Sequence, residues 1–184
     1  MTRVTIAGIG NILMGDDGIG PYVARILEAT YDFEETQVAD LGTPVMDFPD
    51  HLDGSEVVLI IDAVDNHKEP GSITVYTKED MVRNGVPVRT DPHSPALSEM
   101  LLRAELTGVG PKDAVLVGIT SKACNYYTRI SGEVKRAVPA AIAEVLRQAE
   151  ILGVRYSKKA NPQVPDIWWD TLGDFAAGLI LAVR

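Results

Sequence analysis

Apolar positions along the chain fall into short continuous runs separated by longer stretches of helical spacing. Val4 to Ile9, Glu35 to Asp40, Glu56 to Asp62, Ser72 to Thr77 and Ala114 to Ile119 read as strands. Glu56 to Asp62 (Glu-Val-Val-Leu-Ile-Ile-Asp) is apolar without interruption, the pattern of a strand buried on both faces. Ser72 to Thr77 instead alternates Ile73 and Val75 with Thr74 and Tyr76, as a half-exposed edge strand does. Helical spacing covers Tyr22 to Tyr31, Ala96 to Leu106 and Val134 to Leu152. In the last of these Val134, Val138, Ile142, Val145, Leu146 and Ala149 form one stripe. Strands alternating with helices predict an α/β fold. Its sheet is doubly wound and mostly parallel, with about five strands, helices on both faces and one antiparallel edge strand.

The same pattern divides the chain into a single α/β domain over residues 1–153 and a C-terminal extension over 154–184. Within the extension, Trp168, Leu172, Phe175, Leu179 and Val183 fall near helical spacing and predict an amphipathic helix, docked on the protein's own core or else offering an apolar surface to a partner or a second copy.

In a sheet of this kind ligands bind beyond the carboxyl ends of the strands, where the strand order reverses. Three segments with chemical potential sit at such positions. Gly8 to Gly20 (Gly-Ile-Gly-Asn-Ile-Leu-Met-Gly-Asp-Asp-Gly-Ile-Gly) follows the first strand and sets Asp16 and Asp17 between glycines, which let a backbone bend sharply and approach a ligand closely. Asp62 ends the third strand pattern. Thr90-Asp91-Pro92-His93-Ser94-Pro95 precedes a helix, with Ser94 and Pro95 suited to its cap and first position, so His93 is held in a stiff loop. If the first and third strands are neighbours, Asp17, Asp62 and His93 converge. His51 and His67 have no such company and read as surface or packing residues.

A dinucleotide-binding turn would read Gly-x-Gly-x-x-Gly, but Leu13 stands where the third glycine belongs, and two acids would face an approaching pyrophosphate. A nucleotide- or small-ligand-binding enzyme is kept as the rival reading, with Asp40 as the group to hold a ribose hydroxyl.

Composition narrows the field. The 184 residues suffice for one domain with a substantial core, and the net charge of −9 disfavours both nucleic acid and an anionic membrane surface. Cys124 has no second cysteine to pair with and reads as a buried structural thiol. No apolar stretch is long enough to span a bilayer and no signal peptide is evident, so a cytoplasmic protein is expected, as a monomer. Two carboxylates and an imidazole suit a divalent transition ion, and three protein ligands leave positions open for a substrate or water.

These segments resemble the hydrogenase maturation endopeptidases over roughly residues 3–152. The resemblance rests on five motifs in order: Gly8 to Gly20, Asp40-Leu-Gly-Thr, Leu59-Ile-Ile-Asp-Ala, Pro92-His-Ser-Pro-Ala-Leu and Val117-Gly-Ile. It implies a peptidase that removes the C-terminal extension of a [NiFe]-hydrogenase large-subunit precursor after nickel insertion. It also implies that Asp17, Asp62 and His93 contact the nickel and carry catalysis, the ion being supplied by the substrate. Asp16, Asp40, Gly42 and Thr43 are then expected on the substrate-binding side, with Asp16 orienting the loop rather than ligating. Two hydrolytic routes stay open: water activated at the ion with a carboxylate as base, or a paired-carboxylate mechanism among Asp16, Asp17 and Asp62. A non-catalytic partner that shields the precursor's tail is the third alternative.

Overall fold

The protein is described from a computed structural model that covers residues 2–43, 52, 54–85, 97–126 and 128–169. Its elements run β1 (Val4–Ile9), α1 (Ile19–Thr30), β2 (Tyr31–Phe33), β3 (Thr36–Gly42), β4 (Val57–Val64) and β5 (Ile73–Thr77), then α2 (Leu97–Thr107), β6 (Asp113–Thr120), α3 (Gly132–Ile151) and β7 (Tyr156–Lys158). A 3-10 turn at Gly15–Gly18 leads into α1, and a π-helical turn at Asp80–Gly85 follows β5.

Five strands form the central sheet in the order β3-β1-β4-β6-β5. All neighbours are parallel except β5, which runs antiparallel to β6 at the edge. The predicted α/β architecture, with its alternating Ser72–Thr77 segment as the antiparallel edge, is therefore the one the chain adopts. From β1 the chain crosses to β3 on one side and then to β4 on the other, so the strand order reverses between β1 and β4. The two strands that carry the acidic segments are direct neighbours, with Gly8 opposite Ile61.

Alternation along β4 builds two cores from one strand. Leu59, Ile61 and Ala63 join Tyr22, Val23, Ile26 and Leu27 of α1 and the α3 stripe of Val134, Val138, Ile142 and Val145. Val58, Ile60 and Val64 face the other way, against Leu97, Met100 and Leu101 of α2 and Met81 of the π-helical turn. Every residue of β4 is buried, and each large aliphatic side chain so placed contributes about 1.5–3 kcal/mol. This is why the run could afford no polar residue except one with a purpose.

Two boundaries differ from the sequence reading. Tyr31 does not close α1: its backbone is extended (φ −123°, ψ 146°) and starts β2. β4 continues past Asp62 to Val64, so that carboxylate lies inside the strand rather than at its end. Beyond Gly153 the chain still packs on the domain as far as it is described. β7 pairs antiparallel with β2, Tyr31 and Tyr156 meet edge to face with centroids 5.8 Å apart, and Val154 and Ile167 enter the core. The predicted C-terminal amphipathic helix falls almost wholly on residues 170–184, outside the described residues. Among the described residues, no helix is long and apolar enough to cross a membrane.

Candidate active site

The turn after β1 is shaped by its own backbone. Asn11 Oδ1 accepts from the Leu13 N–H at 3.0 Å, and the Met14 N–H donates to the Asn11 carbonyl at 3.0 Å, which folds the chain back on itself. The glycines serve this folding rather than a ligand. A Cβ on Gly10 (φ +139°) would lie 1.8 Å from the Asp17 carbonyl oxygen. A Cβ on Gly20 would lie 2.1 Å from the Ile9 oxygen and 2.3 Å from the Ile61 oxygen. Gly20 therefore lets the start of α1 press against both β1 and β4, and the space where a phosphate cradle would open is filled by the protein's own carbonyls.

Asp17 is half-buried in the 3-10 turn, and its Oδ2 accepts the Asn11 N–H at 2.8 Å, which pins the carboxylate over the end of β1. Asp62 is 4% exposed in the neighbouring strand, where its Oδ1 accepts the Ala63 N–H at 2.7 Å. Burial pushes the Asp62 carboxyl well above its ordinary range, and the negative charge of Asp17 pushes it further; the Ala63 hydrogen bond opposes both only in part. The two acids thus belong to the neighbouring segments at the β1–β4 reversal, where the charge of Asp17 is felt at Asp62. A buried carboxyl held toward its neutral form beside a second acid suits a place where a cation, or a shared proton, belongs.

That arrangement fits two of the three donors a divalent ion would need. Among the described residues no group of three His, Cys, Asp or Glu side chains assembles. His93, the nitrogen donor expected from the sequence, lies outside the described residues, as does His51.

The other expected residues separate by role. Asp16 points into the protein. It is fully buried, and its Oδ2 accepts from the backbone of Lys122 at 2.8 Å and of Ala123 at 3.0 Å and from Ser131 Oγ at 3.0 Å, while Oδ1 accepts the Ser131 N–H. These bonds fasten the acidic turn to the loop after β6 and to the start of α3. Asp40 also looks inward: Oδ1 accepts the Gly42 N–H at 3.0 Å and Oδ2 pairs with Arg25 at 3.3 Å, so it is engaged rather than poised for a ribose. Gly42 accepts the Gly10 N–H at 2.8 Å and so joins the end of β3 to the acidic turn. Thr43 is exposed just beyond it, at the same sheet edge. Cys124 is only half-buried, on the loop between β6 and α3, and is not a core thiol. His67 is a surface residue, exposed and 3.8 Å from Asp65.

Sequence reasoning missed Ser131 and the Lys122–Ala123 backbone as members of the site's framework. A serine ahead of the α3 periodicity is legible as a cap, and Ser131 Oγ does accept the Val134 N–H. Its bond to an acid 115 positions earlier leaves no local trace.

The raised Asp62 carboxyl has a consequence for stability. Because the folded protein holds this proton more tightly than the unfolded chain, the group's contribution is fully present below the ordinary carboxylate range. It is lost as pH rises through the elevated folded-state value. The substitution Asp62→Asn cannot ionise and escapes that loss. The metal-free variant should therefore melt a few degrees above the parent near neutral pH, at about 2–4 °C per kcal/mol, and the gap should close in acid. Calorimetric melts across pH check this; a variant less stable at every pH would contradict it.

Comparison with known proteins places the chain. The profile of the family described as hydrogenase maturation protease matches residues 21–148. The hydrogenase expression/formation protein HoxM of Cupriavidus necator is 27% identical over 165 residues, which cover 89% of this chain and 80% of that protein. The hydrogenase 2 maturation protease of Escherichia coli is 27% identical over 158 residues, or 83% and 93% of the two chains. Among solved structures, the hydrogenase maturating endopeptidase HybD from E. coli superposes with a TM-score of 0.77 at 25% identity, over 86% of this chain and 99% of that one. With the family profile spanning well over half its length and the same α/β architecture in that endopeptidase, this chain belongs to the hydrogenase maturation protease family and is a peptidase.

Proposed function

We propose that this peptidase removes the C-terminal extension of a [NiFe]-hydrogenase large-subunit precursor once nickel has been inserted. In this reading Asp17, Asp62 and His93 sense the nickel that the substrate carries. The observation that carries it is the buried Asp62 carboxyl beside Asp17 at the strand-order reversal. Without a cation, burial and the neighbouring charge favour the protonated acid; a divalent ion brought to the same crevice favours the carboxylate and releases the proton. The pair is thereby a detector of positive charge.

The reading is also supported by the names of the relatives. One is a hydrogenase 2 maturation protease, and a solved structure from Thermococcus kodakarensis, with a TM-score of 0.64 at 25% identity, is a [NiFe] hydrogenase maturation protease. Two carboxylates form an incomplete set of ligands and should hold free nickel only weakly, whereas an ion already held by the precursor lacks only the ligands the protease adds. Hydrolysis then uses water with a carboxylate of the pair as general base, and the half-buried Asp17 is the better placed of the two to reach it.

Nothing in the turn favours a nucleotide, since Gly10 and Gly20 are closed over by the chain's own carbonyls. The direct test is to incubate the purified protein with nickel-loaded precursor and follow the tail by mass spectrometry. Loss of the tail is expected; a stable complex that protects the tail would make the protein a shield rather than a protease.

A further inference from the structure

Asp16 and Asp17 are consecutive, yet their carboxylates have different fates. Asp17 sits over the end of β1, beside the strand that carries Asp62, and cleavage as read above needs its carboxylate held there. The turn that bears Asp17 is a single 3-10 turn of four residues, Gly15–Gly18, which by itself fixes a side chain only loosely. Asp16 supplies the anchor. Its side chain accepts four hydrogen bonds from segments 106 to 115 positions later in the chain, and its own N–H donates to the Ala123 carbonyl at 3.1 Å. The partners are themselves fixed. Lys122 and Ala123 lie just beyond β6, separated from its end by one residue, while Ser131 caps the twenty-residue helix α3. Met14 and Thr128 add a parallel backbone bridge between the same two segments. The acidic turn is thus bolted to the sheet and to a long helix through one fully buried carboxylate.

We infer that Asp16 is a positioning residue that acts through Asp17, with Ser131 as its partner: it holds Asp17 against Asp62 in the geometry that cleavage of the nickel-loaded precursor requires. This rests on the site reading given above. The four groups facing Asp16 are all donors, and only a carboxylate accepts from them on both oxygens. An amide would turn its NH2 toward at least one of them. The acidic turn would then relax away from Asp62, and displacement of a reacting group by about 1 Å costs on the order of 10²-fold in rate.

The experiment compares Asp16→Asn, Ser131→Ala and Ser131→Thr with the parent in cleavage of nickel-loaded precursor, separating kcat from KM. Asp16→Asn should lower kcat about 10²-fold while KM moves little, because the substrate's remote contacts are untouched. Ser131→Ala keeps the Asp16 carboxylate and its backbone donors, loses one of the four bonds and should cost about tenfold in kcat. Ser131→Thr, which retains the hydroxyl, should restore the rate. Should Asp16→Asn fail to fold, the Ser131 pair decides alone. Parental kcat in Asp16→Asn, a loss wholly in KM, or equal rates for the two Ser131 variants would overturn the inference. Asp17→Asn serves as the control for the underlying reading: if it cleaves like the parent, the site assignment fails. If only it is impaired, the site stands and Asp16 has no positioning role.

Discussion

Asp62→Asn is expected to lower removal of the precursor's tail by about 10³-fold or more while leaving a folded protein. General acid–base groups contribute typically 10²–10⁴-fold, and this substitution also removes half of the charge offered to the ion. The side chain is isosteric and the strand around it is buried from Val57 to Val64, so secondary structure should persist. Loss of activity together with the higher melting temperature near neutral pH would mark Asp62 as a group whose burial costs stability in the service of chemistry. His93→Ala should match its effect on cleavage, since the ion would lose the only nitrogen ligand expected from the sequence. A folded Asp62→Asn protein that trims loaded precursor at the parental rate would remove the carboxyl from the mechanism.

Gly20→Ala should have the largest effect on folding. The new methyl carbon would stand 2.1 Å and 2.3 Å from two carbonyl oxygens of adjacent central strands, and neither can retreat without breaking sheet hydrogen bonds. Overpacking of this kind against backbone is expected to cost about 3–5 kcal/mol, a large part of the stability of a domain of ordinary size. Urea unfolding followed by circular dichroism measures it. A shift in unfolding free energy below about 1 kcal/mol would show that α1 can lift off the sheet, and the account of the glycine-rich turn would need revision.

The sheet was legible because burial leaves an unbroken apolar run. Val57 to Ile61 has the length and β-branched content of a buried strand, and the alternation at Ile73 to Thr77 separates the edge strand from the interior. The convergence of Asp17 and Asp62 hung on whether the first and third long strand patterns are neighbours, and β1 and β4 do pair. The purpose of the glycines was not legible: a sequence shows that Gly10 and Gly20 can approach something closely, but not that the something is the Asp17, Ile9 and Ile61 carbonyls. The roles of Asp16 and Asp17 diverge for a similar reason. Whether an acid in a turn faces outward or is clamped by donors depends on a loop more than a hundred residues away. The β2–β7 pair, three residues on each strand and joined across most of the chain, is too short to carry a periodic signal.

The central claim is that this peptidase cuts in response to nickel carried by its substrate. The measurement that tests it most directly is the rate of tail removal from two preparations of one hydrogenase large-subunit precursor, nickel-free and nickel-loaded. Each is mixed with the same purified protein, with free nickel added to the protease alone as a third arm. Cleavage should follow the nickel content of the precursor, and nickel given to the protease alone should change little. Equal cutting of the two preparations would contradict the account and leave a protease that recognises the tail sequence without regard to the ion.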